Sequence, residues 1–246
     1  MFGLQDAFGF TLPDFLAFAF FVAAWSGYHF AIEYGSRTGL NVSMAEYRMR
    51  WMSEMSQRDN RIVDANIMTS LQNGTAFFAS TSLLAIGASA TLLRASDDAV
   101  KIAAELPFGI AATRTLWEVK VVGLLLIFGY AFFKFAWAYR LFNYAAVLVG
   151  ATPAAASADA TDRARIAGRA GRMGVAAARH FTRGQRAFFF ALAYLGWFLG
   201  PWPLAATTAF VLAVMWSRQY VSDAHEAIEW EPPTPASADP SADNKA

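Results

Sequence analysis

Hydrophobic positions along the chain gather into four apolar stretches, roughly 12–32, 73–93, 117–139 and 187–217, with charged segments between them. A helix needs about 20 mainly apolar residues to cross a hydrocarbon core about 30 Å thick. The pattern therefore predicts an all-α, polytopic membrane protein, a four-helix transmembrane bundle spread over residues 1–220. Its linking segments are 33–72 and 140–186, and 221–246 forms an acidic tail expected to be disordered from about 231. The first span, Phe15–Ile32, is short, so Phe8, Phe10 and Tyr34 are expected as interfacial padding. No Lys or Arg precedes it, which reads as a retained span rather than a secretory leader.

The fourth stretch is interrupted by Gly200-Pro201-Trp202-Pro203. The two prolines remove the amides that would pair with the carbonyls of Trp197 and Leu199. One kinked span is the expectation, with a re-entrant pair of half-helices as the alternative. The second stretch carries Ala79, Ser80, Ser82, Ala85, Gly87, Ala88, Ser89 and Ala90. Such small residues allow close helix approach in lipid, which places this helix at the centre of the bundle. Ser80, Thr81 and Ser82 could line a polar path, but bonds back to the preceding turn satisfy the same hydroxyls.

Two of the linking segments have helical character of their own. Met44, Tyr47, Trp51 and Met55, with Met52 beside them, form one apolar stripe, and Ser43 with Glu46 matches a capping box. This predicts an amphipathic helix in the interface or packed under the bundle. After a flexible link from Pro153 to Ala160, Arg165, Arg169, Arg172, Arg179 and Arg183 form a second, basic stripe. Gly168, Gly171 and Gly174 weaken that helix. Beside a cytoplasmic leaflet its default partner is anionic lipid, and nucleic acid is not expected. In 94–116 the pattern predicts a short helix ending before Pro107, then a turn near Gly109.

Composition supports the membrane assignment: 56% of residues are hydrophobic and only 16% charged, too apolar for most soluble domains of this size. With 0 cysteines, disulfides, thiolate catalysis and Cys-ligated metals are excluded. Thirteen Lys and Arg fall in 33–72 and 140–186, against five in the N-terminus, 94–116 and the tail. The positive-inside rule then makes the two long segments cytoplasmic and puts both termini outside a bacterial plasma (inner) membrane.

Candidate chemistry is sparse. There is no phosphate-binding glycine motif, zinc-protease motif or nucleophile elbow, and no cofactor or metal is expected from three scattered histidines. Lys120 lies near the outer end of the third span, within reach of Glu118 or water. Lys134 lies deeper, able to snorkel or to pair with a group such as Glu33. The segments RMRWMSEMSQRDNRIVDANI…NGTAFFASTSLLAIG, FFKFAWAYRLFNYAAVLVG and RGQRAFFFALAYLGWFLGPW resemble the DUF599 family of membrane proteins over roughly residues 15–220. The resemblance implies a polytopic membrane fold and no activity. The positions carrying it include Arg48, Trp51, Met52, Arg61, Asp64, Gly74, Phe77, Phe78, Ser80, Thr81, Arg140, Asn143, Tyr144, Gly184, Arg186, Trp197 and Pro201.

Many of these cluster at the cytoplasmic ends of the spans. They suggest a polar site from Arg61, Asp64, Arg140, Asn143 and Arg186, with His29, Glu33 and Lys134 nearby; ion pairs and caps that merely close the bundle are the alternative. Two function classes follow. One is a small transporter, channel or channel subunit, in which a homo-oligomer could build the pore. The other is a non-catalytic membrane scaffold or interaction protein.

Overall fold

Length and bonding, more than propensity, decide how these helices fit together. The computed structural model describes residues 9–35, 39–105, 113–156 and 159–229, which are helical almost throughout, with no strand among them. In chain order the helices are α1 (Leu12–Tyr34), α2 (Leu40–Ser56), α3 (Ile62–Arg94), α4 (Ser96–Glu105), α5 (Arg114–Ala151) and α6 (Ala160–Tyr194). A 3₁₀ turn (Leu195–Leu199), α7 (Pro201–Tyr220) and α8 (Asp223–Glu229) follow. The turn expected at Pro107–Gly109 and the tail from 231 lie outside the described residues.

Three helices, α1, α3 and α5, are long and apolar enough to cross a membrane. The helices α3, α5 and α6 have 33, 38 and 35 residues. At 1.5 Å per residue each runs about 50 Å or more, well past a hydrocarbon core of about 30 Å. The excess projects at one end. There the chain from Arg140 onward, expected as a linking segment, stays helical to Ala151, and the expected basic helix begins at Ala160 as part of α6.

The neighbours are antiparallel. Gln72 on α3 donates to Asn143 on α5 at 2.7 Å, and Arg61, just before α3, donates to the carbonyls of Val149, Thr152 and Pro153 at the end of α5. Carbonyls at a helix C-terminus lack the full set of intrahelical amide donors, and the guanidinium caps them. The buried row of α5 runs from Leu116 to Val149 and packs on both α3 and α6. The central helix is therefore α5, not α3 as the small residues of the second stretch suggested. Those residues instead face outward in part, with Leu83, Leu84 and Phe77 exposed. Thr81 and Ser82 do bond back, to the carbonyls of Phe77 and Phe78.

The fourth stretch corrects the expectation of one kinked span: the chain reverses. Arg183 and Arg186 on α6 lie against Glu33, Phe190 lies against Phe21 and Trp25, and Trp197 lies against Asp14, so α6 runs antiparallel to α1. At Gly200 the backbone takes φ +129°, a conformation that favours glycine. Beyond it α7 turns back, with Thr207 Oγ1 donating to the Ala193 carbonyl at 2.7 Å. Tyr28 OH then donates to Met215 O at 3.1 Å and Asn41 to Gln219 at 2.9 Å, so α7 runs parallel to α1. The described chain thus begins at one end of the bundle and finishes at the other, unlike the expected pair of termini on one side.

The overhanging ends carry their own small core. Met52, Met55 and Met68 pack with Ala145, Val149, Ala167 and Ala170, seating α2 across α3, α5 and α6. Of the expected stripe of α2, Met52 and Met55 are buried and Met44 and Trp51 half-buried, while Tyr47 is exposed. The helix also starts earlier, at Leu40 after Gly39, so Ser43 is inside it and caps nothing. Gly171, expected to weaken α6, is where α2 comes closest: a Cβ there would meet Met49 Sδ at 2.8 Å.

Gly184 has the same role against α5, where a Cβ would stand 2.8 Å from the fully buried Phe135 ring. Gly184→Ala should therefore lower stability by about 1–3 kcal/mol through overpacking. Gly129→Ala has nothing within 4 Å and should be neutral or stabilising by up to about 1 kcal/mol, the helix-propensity difference. Thermal unfolding of both variants in one detergent checks the contrast, and equal effects would contradict the packing described.

Candidate functional site: a basic cavity at the overhanging end

Glu33 is the last acidic residue of α1 and the residue before its end at Tyr34, and it meets two arginines of α6. Arg183 donates through Nε (3.0 Å) and Nη2 (2.6 Å), one bond to each carboxylate oxygen, and Arg186 adds Nη2 at 2.8 Å. The bidentate fork is the strongest pairing available to these groups. Arg186 is 4% exposed, and its Nε and Nη1 have no hydrogen-bond partner among the described residues. Lys134 does not pair with Glu33; its ammonium lies 5.1 Å from the centre of the Tyr130 ring.

Beside this cluster is a cavity of about 440 Å³ between α1, α2, α3, α5 and α6. Arg48, Arg179 and Arg186 line it with Glu33 as the one acidic side chain, and Ile32, Val42, Leu71 and Phe142 supply apolar wall. It adjoins a wider groove of about 700 Å³ between α2 and α6, lined by Glu46, Arg172, Arg179, His180 and Arg183. Burial pushes the Arg48 guanidinium below its ordinary value, and among the described residues it donates to the Met44 carbonyl of its own helix. Burial first, then the charges of Lys134 and Arg183, lower His180, whose Nδ1 is buried with no hydrogen-bond partner among the described residues.

The remaining residues singled out from the sequence divide between other tasks. Asp64 is fully buried, accepts the Trp51 indole N–H at 2.6 Å and lies 3.5 Å from Arg58 Nη1, tying α2 to the start of α3. Arg61 caps α5, and Asn143 pairs with Gln72. Arg140 is exposed, donates to Tyr144 OH at 2.5 Å and lies over Trp137. His29 is half-buried one turn before Glu33, its ring edge-on to Phe30. The eight residues therefore do not form one site: Glu33 and Arg186 meet at the cavity, while Asp64, Arg61, Asn143 and Arg140 hold helices together or face outward.

A second polar cluster, at the opposite end, was missed. Lys120 is 4% exposed and donates to the Trp197 carbonyl at 2.8 Å, while the Trp197 indole donates to Asp14 at 2.9 Å. Glu118, the partner considered for Lys120, instead accepts from Arg114 at 2.8 Å. The signal for this cluster was present in Pro201, which cannot give the Trp197 carbonyl its α-helical i+4 amide.

The two groupings make a test by double-mutant cycle. Glu33→Gln and Arg186→Gln should couple by about 0.5–3 kcal/mol, as residues in direct contact do. Asp64→Asn and Arg140→Gln should add within about 0.5 kcal/mol, because the Gln72–Asn143 register sets Arg140 roughly 16 Å along α3 from Asp64. Unfolding free energies of the two sets of variants decide this, and strong Asp64–Arg140 coupling would restore a single joint site.

No curated protein and no solved structure matches this chain. One family does, described as "Protein of unknown function, DUF599", over residues 16–224. The match runs from within α1 to the start of α8 and so includes the Glu33 cluster, Lys120 and Trp197 of the second cluster, and the reversal at Gly200. On that coverage, the chain belongs to the DUF599 family of proteins of unknown function.

Proposed function

We propose that this protein is a non-conducting, non-catalytic membrane protein that acts by binding at its basic end. The observation that carries the reading is the packing between the two polar clusters. Phe21, Trp25, Phe190 and Tyr194 interlock, Trp25 stacking on Phe190 at 5.6 Å between ring centres. Phe78, Phe135, Phe181 and Phe188 form a second set around Ala131 and Ala187. Rings packed at interior density leave a through-going ion nothing to replace its hydration. A transporter or channel subunit is the second reading, favoured by the cavity that opens at one end beneath this layer.

The same geometry supports five membrane passes, by α1, α3, α5, the apolar end of α6 with its 3₁₀ turn, and α7. Arg218 then joins the basic end with Arg48, Arg50, Arg58, Arg61 and the arginines of α6, while Arg94, Lys101 and Arg114 stay at the other. The positive-inside rule makes the basic end cytoplasmic, with the end of α7 beside it. A bacterial plasma membrane is the setting that this bias fits.

Two measurements test these statements. Proteoliposomes loaded with potassium or chloride, or holding a proton gradient, should show no flux above empty liposomes. A flux abolished by Glu33→Gln or Lys134→Met would replace the binding reading with the conducting one, and a pore between protomers would then be required. Because the chain has 0 cysteines, single Cys variants report sidedness cleanly. An impermeant maleimide on right-side-out vesicles should label Asp98→Cys, but label Arg169→Cys and Ser222→Cys only after permeabilisation. Labelling of Ser222→Cys together with Asp98→Cys would restore four passes.

A further inference from the structure

The cavity at the basic end has more positive charge than its surroundings neutralise. Arg48, Arg179 and Arg186 line it from α2 and α6, and Glu33 is the one carboxylate among the lining side chains. That carboxylate is already taken, since Arg183 holds both its oxygens and Arg186 shares one. An unbalanced guanidinium away from water is costly unless an anion accompanies it. Arg186 is such a group: its side chain is 5% exposed, Nη2 is satisfied by Glu33, and Nε and Nη1 are left without acceptors among the described residues. What would balance this charge is a set of acceptor oxygens carrying negative charge beside Arg186, which lines the cavity.

We propose that this cavity binds the phosphate group of an organic phosphate ester, held by Arg186 and Arg48 with Arg179 at the rim. The proposal rests on the reading of this end as the basic, ligand-facing end of a membrane protein. A phosphate offers more acceptor oxygens and more charge than a carboxylate, which suits guanidinium groups arriving from two different helices. The room also fits: about 440 Å³ exceeds what a bare phosphate fills, and Ile32, Val42, Leu71 and Phe142 give the ester's carbon skeleton an apolar wall. Of the other polar side chains that line the cavity, Asn41 donates to Gln219, Thr75 to the Leu71 carbonyl and Thr182 to the Ala178 carbonyl, and Ser70 adds a neutral hydroxyl, so the arginines carry the charge that recognises an anion. The phosphate could arrive as a lipid headgroup from the adjoining leaflet or as a water-soluble ester. The chemistry at Arg186 is the same for both.

The test uses the full-length protein in nanodiscs. Glycerol phosphate is titrated calorimetrically onto protein in phosphatidylcholine discs, and lipid retention is measured by native mass spectrometry after incorporation into discs containing phosphatidylglycerol. Saturable binding in either arm is expected, the first identifying a soluble ester and the second a headgroup. Arg186→Gln and Arg48→Gln should each weaken it at least tenfold, while Arg140→Gln, exposed and outside the cavity, should leave it unchanged. Arg48→Gln guards against misfolding, because among the described residues Arg48 bonds only within its own helix. No saturable binding in either arm, or binding that both cavity variants keep at the wild-type level, overturns the proposal.

Discussion

The carbonyl of Trp197 is the point on which this fold turns. Pro201 lacks the amide that would cap it, and a bare carbonyl at membrane depth costs several kcal/mol. Lys120 from α5 supplies a donor at 2.8 Å, and the Gly200 amide a second at 3.1 Å. A lysine is a costly remedy unless its charge is met, and Asp14, bonded to the same tryptophan's indole, meets it from α1. The broken helix, the buried lysine and the buried aspartate therefore compensate one another. Three helices are fixed by one arrangement, and α7 is returned along α1 rather than continued.

Seen from the sequence, the membrane character, the helical class, the link near Pro153 and the bonding back of Thr81 and Ser82 were all legible. Each is a local property of composition or spacing. The reversal at Gly200 was not, because the proline pattern that breaks a helix is the same for a kink and for a hairpin. Only the partner of the freed carbonyl separates them, and Lys120 lies 77 residues from Trp197. The polar site was half legible for the same reason. Glu33 and Arg186 were named, but Arg183 was read as part of a lipid-facing stripe. Arg140 and Asp64, close to them in type, turned out to serve other contacts. The stripe on α2 was legible except at Tyr47, which is exposed, and Met49, which was not counted in it but meets Gly171 of α6.

The helix α1 shows how the two polar clusters act together. It makes its closest helix contacts with α7, while its ties to α6 are side chains: charged or polar groups at the two ends and aromatic rings between. Asp14 and Glu33 are 19 residues apart, which is about 28 Å of helix and close to the thickness of the hydrocarbon core. A slip of α1 by one turn would move one carboxylate away from its cations and into apolar surroundings, a change in charge environment far costlier than lost ring contacts. The carboxylates therefore set the register, and the rings fill the space that register leaves. Because Asp14 is saturated by Thr11 and Trp197, its cluster is closed and structural. The cluster at Glu33 is not closed. It has one more buried guanidinium than its carboxylate can satisfy, so the end of the bundle that shares its design with the other differs from it by the capacity to take a further anion.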